Sequence, residues 1–256
     1  LNDTQLREFL YSKAPESLGW FTAYDNQQEN PQTWHDTLDR VTHELWSKLM
    51  HPVIDYLKEK SFQQAILIPT GLLGFLPLHA AWTEDKTRTC GRCYALDEIA
   101  FNYAPNARSL QTAREVANRT LADAILAVDE PGPVNANELP NSSKGVRTAV
   151  ETFNNPQIFR HENATQEAVK KALSDYTVLH FSCHGFADFD EPLNSGLVMA
   201  NDEILSLRDL FEVNLGARLA VLSACETALP GGENLDEVVS LPTGMLQAGV
   251  AGVAAS

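Results

Sequence analysis

Two short strings hold the side chains best suited to covalent chemistry: His180-Phe-Ser-Cys-His184-Gly185 and Leu222-Ser-Ala-Cys225-Glu226-Thr227. Each closes an apolar run that reads as a buried strand, Thr177-Val-Leu-His-Phe181 before the first and Leu219-Ala-Val-Leu222 before the second. His184 and Cys225, 41 positions apart, thus fall where an open parallel sheet places its chemistry, at the carboxyl ends of strands. Neighbouring strands lie about 5 Å apart, so residues just past their ends can come within hydrogen-bond reach. A thiol attacks only as thiolate, and a nearby imidazole can take its proton. His184 is the candidate base, and later the acid that protonates a leaving amine. Cys225 is the attacking sulfur. The N–H groups of Gly185 and Cys225 are candidates for an oxyanion hole, which stabilises the tetrahedral intermediate of acyl transfer. Such a layout is that of a cysteine hydrolase acting on peptide bonds.

Neighbouring residues read differently. His180 stands inside its strand and reads as structural, whereas His184 lies beyond it, beside a glycine. Cys183 points away from His184 on an extended segment and reads as packing. Asp188 and Glu191 follow the base, and Ser223 and Glu226 flank the nucleophile; these four are candidates to line a substrate pocket, the default for the three acids being that they are solvated loop residues. Cys90 and Cys93 form an isolated Cys-Gly-Arg-Cys pair that reads as two loop thiols. Zinc wants a second ligand pair at similar spacing, and the acidic loops lack the ligand rhythm of a calcium site, so neither a metal nor a cofactor is expected.

Strands alternating with helices must position these groups. Runs at Ala65–Ile68, Ile99–Tyr103, Ala124–Val128 and Gln157–Arg160 read as extended, as does Leu18–Tyr24, where apolar and polar residues alternate. Helical spacing appears over Trp34–Leu49, interrupted by Pro52 and resumed at Val53–Leu57. It returns at Ser109–Arg114, Ser143–Phe153, Thr165–Leu173 (with Thr165 as a cap) and Ser206–Phe211. The loop Asp129–Asn137 is rich in Pro, Gly and Asn. The pattern predicts an α/β fold with a mostly parallel central sheet flanked by helices. An N-terminal strand and helix region over residues 1–60 would precede a core over residues 61–256.

Of 256 residues, 44% are hydrophobic and 21% charged, enough for a sizeable core. The 34 acidic and 19 basic side chains give a formal charge of −15, which repels nucleic acid. No apolar run approaches the ~20 residues that span a bilayer, and no leader is visible, so a cytoplasmic setting is expected. The chain begins with Leu1 rather than Met and stops inside Ala248–Ser256, a run of small apolar residues, so both ends read as cut or processed.

Val178–Gly185, Leu193-Asn-Ser-Gly-Leu197 and Leu219–Ala228 together resemble the CHAT domain, a branch of the caspase-like, separase-related peptidase clan. Ile66–Leu78 and Phe101–Leu110 resemble its first core strands, so the likeness spans roughly residues 15 to 256. It implies a caspase-like three-layer fold, with His184 and Cys225 as the catalytic dyad of a cysteine endopeptidase that cuts a protein partner through a thioester. It also implies an adjoining region of tetratricopeptide repeats that senses an activator. Some bacterial relatives are proteases switched on beside RNA-guided CRISPR effectors, which makes such an effector an implied partner through that region. Others act in regulated differentiation or death. The competing expectation is a catalytically silent module of the same fold that relays a signal through protein contacts. Two features depart from the family pattern: the usual Leu-Trp and final helix after the last strand are missing, and position 223 is Ser where caspases and metacaspases carry Gln or Asp.

Overall fold

The computed structural model describes residues 1–186, 188, 190–224 and 240–255. The chain divides into two compact units, Leu1–Tyr103 and Ala104–Ser256.

The first unit is mainly helical: α1 (Asp3–Tyr11), α2 (Trp20–Asp25), α3 (Pro31–Leu45), α4 (His51–Glu59) and the short α5 (Ala95–Glu98). Strands β1 (Gln64–Leu67) and β4 (Ala100–Tyr103) pair in parallel, and β2 (Trp82–Glu84) and β3 (Arg92–Tyr94) pair antiparallel. Leu18–Tyr24 is not the expected strand; α2 occupies it. Trp20 and Tyr24, one helical turn apart, both set ring edges against Trp34 of α3, at 4.9 and 5.5 Å between centroids, so tertiary packing selects the helical period. Gly19 permits this entry: a Cβ there would sit 2.5 Å from the backbone of Leu10. Nor does Pro52 interrupt the long helix: α3 runs through a π-turn over Trp46–Met50 directly into α4, with the proline in its first turn. Cys93 is not a loop thiol but a buried strand residue of β3, donating to a Glu98 carboxylate oxygen at 3.0 Å.

The second unit is the caspase-like α/β core. After α6 (Ala107–Arg119) come β5 (Ile125–Pro131), α7 (Ser142–Val150), β6 (Gln157–His161), α8 (Gln166–Ala172) and β7 (Val178–Ser182). Next follow β8 (Gly185–Phe186), β9 (Gly196–Val198), β10 (Ile204–Ser206), α9 (Leu207–Phe211), β11 (Leu219–Ser223), α10 (Leu241–Gln247) and β12 (Val253–Ala255). Five strands form one parallel sheet in the order β12-β11-β7-β5-β6, and β8, β9 and β10 form a small antiparallel sheet. Thr165 caps α8 by accepting from the Ala168 amide, and Ser206 and Asp209 form a reciprocal capping box on α9.

Strand alternation divides the sheet into two faces. Leu126, Val128, Leu179, Phe181, Ala220 and Leu222 bury one face against Val169 of α8, Leu207 and Leu210 of α9, and Met245 of α10. Ile125, Ala127 and Val178 pack on the other face against Val146 and Val150 of α7. Helices on both faces of a parallel sheet make the three layers. Among the described residues no helix is long and apolar enough to cross a membrane.

Candidate functional site

Two registers organise the strand ends. Along β5 and β7, Ile125 lies opposite Val178 and Asp129 opposite Ser182. Between β7 and β11, Leu219 lies opposite Val178 and Ser223 opposite Ser182, a constant offset of 41 positions. Asp129, Ser182 and Ser223 therefore form one row at the carboxyl end of the α7-facing side. His184 follows two residues beyond Ser182, just after the strand has bent at Cys183.

His184 is half-buried, and its Nε2 lies 2.8 Å from the carbonyl oxygen of Asn137. A carbonyl only accepts, so Nε2 carries a proton, and Nδ1 is the nitrogen left to exchange one. The ring lines an open cleft of about 560 Å³ walled by the 130–140 loop, His161 and Val198. The His184 backbone is fixed as well: its carbonyl accepts from the Val198 amide at 2.9 Å. Amides in an antiparallel ladder alternate in direction, so the next N–H, that of Gly185, turns away from β9. Gly196, on the middle strand of that small sheet, is obligatory, since a Cβ there would stand 2.4 Å from the Leu205 carbonyl oxygen. This explains the glycine of the Asn-Ser-Gly string.

The residues predicted around the base separate. The Asp188 carboxylate accepts from the amides of Asp190 and Glu191 at 3.1 and 2.8 Å, and its own amide donates to Ser195 Oγ at 2.9 Å, so it closes the loop that follows β8. Glu191 and Ser223 are exposed. Cys225 and Glu226 lie outside the described residues. Cys183 packs in the core, and burial pushes its thiol up to about 12, which leaves it protonated and inert at neutral pH. His180, inside β7, is lowered by burial, with the Asp129 charge pulling the other way. Among the described residues no cluster of three or more His, Cys, Asp or Glu side chains has the arrangement of a metal site.

Sequence reasoning missed two contributors. One is the Asn137 carbonyl, a backbone acceptor that no residue type announces. The other is Asp129, fully buried, whose carboxylate accepts from Ser142 Oγ at 2.7 Å, Ser143 Oγ at 3.1 Å and Arg160 Nε at 2.8 Å. Ser142 Oγ also lies 3.4 Å from the Ser182 carbonyl, so this cluster ties the start of α7 to the end of the strand that leads to His184. An acid directly after Ile-Leu-Ala-Val was the available signal.

No curated protein matches this sequence. A family model described as the CHAT domain matches residues 39–256, which takes in the whole parallel sheet, His184 and Cys225. The chain belongs to the CHAT domain family, a caspase-like family related to the cysteine peptidases.

Proposed function

We propose that this chain is the catalytic module of a cysteine endopeptidase that cuts a peptide bond in a specific protein partner. His184 takes the proton of the Cys225 thiol at Nδ1, and the sulfur attacks the scissile carbonyl carbon. The N–H groups of Gly185 and Cys225 receive the oxyanion. As the C–N bond breaks, the imidazolium returns its proton to the leaving amine, which leaves a thioester. Water, deprotonated by His184, then attacks the thioester carbonyl, and the departing sulfur regains a proton.

The observation that carries this reading is the Nε2–H to Asn137 hydrogen bond, which fixes the ring with its basic nitrogen available. The strand register adds support, because its offset of 41 equals the sequence spacing from His184 to Cys225. Glu191, Ser223 and Glu226 are the residues proposed to meet the substrate side chain. The proposed setting is the cytoplasm, with an adjoining tetratricopeptide region relaying the activator, an RNA-guided effector being one class of it.

The test is labelling of the full chain by an electrophilic peptide probe. Cys225→Ala is expected to abolish rapid labelling at neutral pH. His184→Ala is expected to slow it by about 10²- to 10⁴-fold, the usual contribution of a general base. Labelling at the parent rate in either variant overturns the assignment.

A further inference from the structure

The carbonyl that orients His184 sits in an exposed loop, residues 132–141, with no regular secondary structure until α7 begins. Such a segment holds a fixed acceptor only if something fixes it, since exposed loops are otherwise the mobile part of a fold. Part of the restraint is internal: Glu130 Oε1 accepts from the Leu139 amide at 2.6 Å. Further restraint comes from one tight turn between β9 and β10. The Asn201 amide donates to the Pro133 carbonyl at 2.8 Å, and the Asn135 amide donates to Asp202 Oδ1 at 2.7 Å. The Asn135 side-chain amide donates to the second oxygen, Asp202 Oδ2. Asp202 thus receives two donors from Asn135, two residues before the carbonyl in question.

The same hairpin also holds the other partner. Val198, at the end of β9, binds the His184 backbone carbonyl. One hairpin therefore contacts both His184 and the loop that carries its acceptor. The turn is built for this reach. Asn201 and Asp202 both have positive φ, 63° and 60°, and the Glu203 amide returns to the Ala200 carbonyl at 3.4 Å, so both central residues of this four-residue turn are left-handed. Asn and Asp tolerate that conformation better than other non-glycine residues. The hairpin needs a left-handed residue at position 202, but closing it does not require a carboxylate there.

The geometry points to Asp202 as a positioning residue: through Asn135 it holds the 132–141 loop so that the Asn137 carbonyl keeps His184 in the Nε2–H tautomer. This rests on His184 acting as the base, and the test separates the two ideas. Asp202→Gly removes the carboxylate while favouring the turn, because glycine adopts positive φ without strain. In the parent full chain, ring ¹⁵N shifts of His184, assigned by their loss in His184→Ala, are expected to report the Nε2–H tautomer alone. In Asp202→Gly they are expected to report a mixture of both tautomers, and Cys225-dependent probe labelling is expected to slow roughly 10- to 100-fold, the range for a misplaced catalytic group. The exchanged pair Asn135→Asp with Asp202→Asn restores donor and acceptor in reversed order and is expected to recover both readouts.

A tautomer mixture with recovery in the exchanged pair supports the positioning role even if Cys225 never labels, in which case only the peptidase reading falls. An unchanged single tautomer in Asp202→Gly, at unchanged thermal stability, overturns the positioning role whatever the labelling rate.

Discussion

The two faces of the parallel sheet are made by alternate residues of the same strands, yet they do different work. One face is apolar from end to end: Leu126, Val128, Leu179, Phe181, Ala220 and Leu222 are all buried. The other begins the same way, with Ile125, Ala127 and Val178 against α7, and then turns polar at Asp129, His180 and Ser182. Burial of apolar surface contributes roughly 25 cal/mol per Å² whatever its orientation. A hydrogen bond nets only about 0.5–1.5 kcal/mol but fixes direction. The apolar face therefore supplies stability, and the polar strand ends hold groups at chosen angles. His184 lies just past the polar end, where direction matters most.

The largest effect expected on that comparison is from Phe181→Ala. The ring is fully buried in the centre of the apolar face, so the truncation is expected to cost about 3–5 kcal/mol. Urea unfolding checks this, and a loss below about 1 kcal/mol would mean that the face is not where stability resides.

Asp129 tests the other side. The substitution Asp129→Asn exchanges the carboxylate for a neutral amide, which keeps size and burial but weakens the charge-assisted bonds from Arg160, Ser142 and Ser143. The expected loss is about 1.5–3 kcal/mol, smaller than for Phe181, because Arg160 is half-exposed and water takes over part of its solvation. Urea unfolding of this variant beside Phe181→Ala gives the comparison, and a loss larger than that of Phe181→Ala would reverse the ranking of the two faces.

Much of this division is legible in the chain. Short β-branched runs mark the strands, Thr165 and Ser206 announce their helices, and a His-Gly pair after an apolar strand marks the candidate site. The missing parts share a physical cause: they depend on which residues meet across the fold. Leu18–Tyr24 alternates like a strand, but Trp34 lies where only a helix brings Trp20 and Tyr24 together. Asp129 reads as the first residue of a loop until the β5–β7 register sets it opposite Ser182, on the face of α7. The Asn137 carbonyl has no sequence signature, since every residue carries one. Cys225 is legible in its motif alone and lies outside the described residues.

The smallest expected effect concerns the rim of the apolar face, where polar bonds enclose apolar contacts. Lys170 of α8 donates to Asp209 of α9 at 2.8 Å, and Ser206 Oγ donates to the same carboxylate at 2.6 Å. Burial alone would raise the Asp209 carboxyl. The hydrogen bonds from Lys170 and Ser206, with the lysine charge, outweigh it and draw the group from 3.8 down to about 2. A carboxyl depressed by folding stabilises the native state fully above its unfolded value and loses that contribution as pH falls through the folded one. The helix pair should therefore lose about 1–2 kcal/mol between pH 4 and pH 2, beyond the general acid loss of the chain. Urea midpoints taken across that window in the parent and in Asp209→Asn give the measurement. The two curves should converge as pH falls, because the variant has already lost the charged bond. Parallel curves would mean that the Lys170–Asp209 contact adds nothing to the packing beneath it, and that the apolar face is stable without a polar rim.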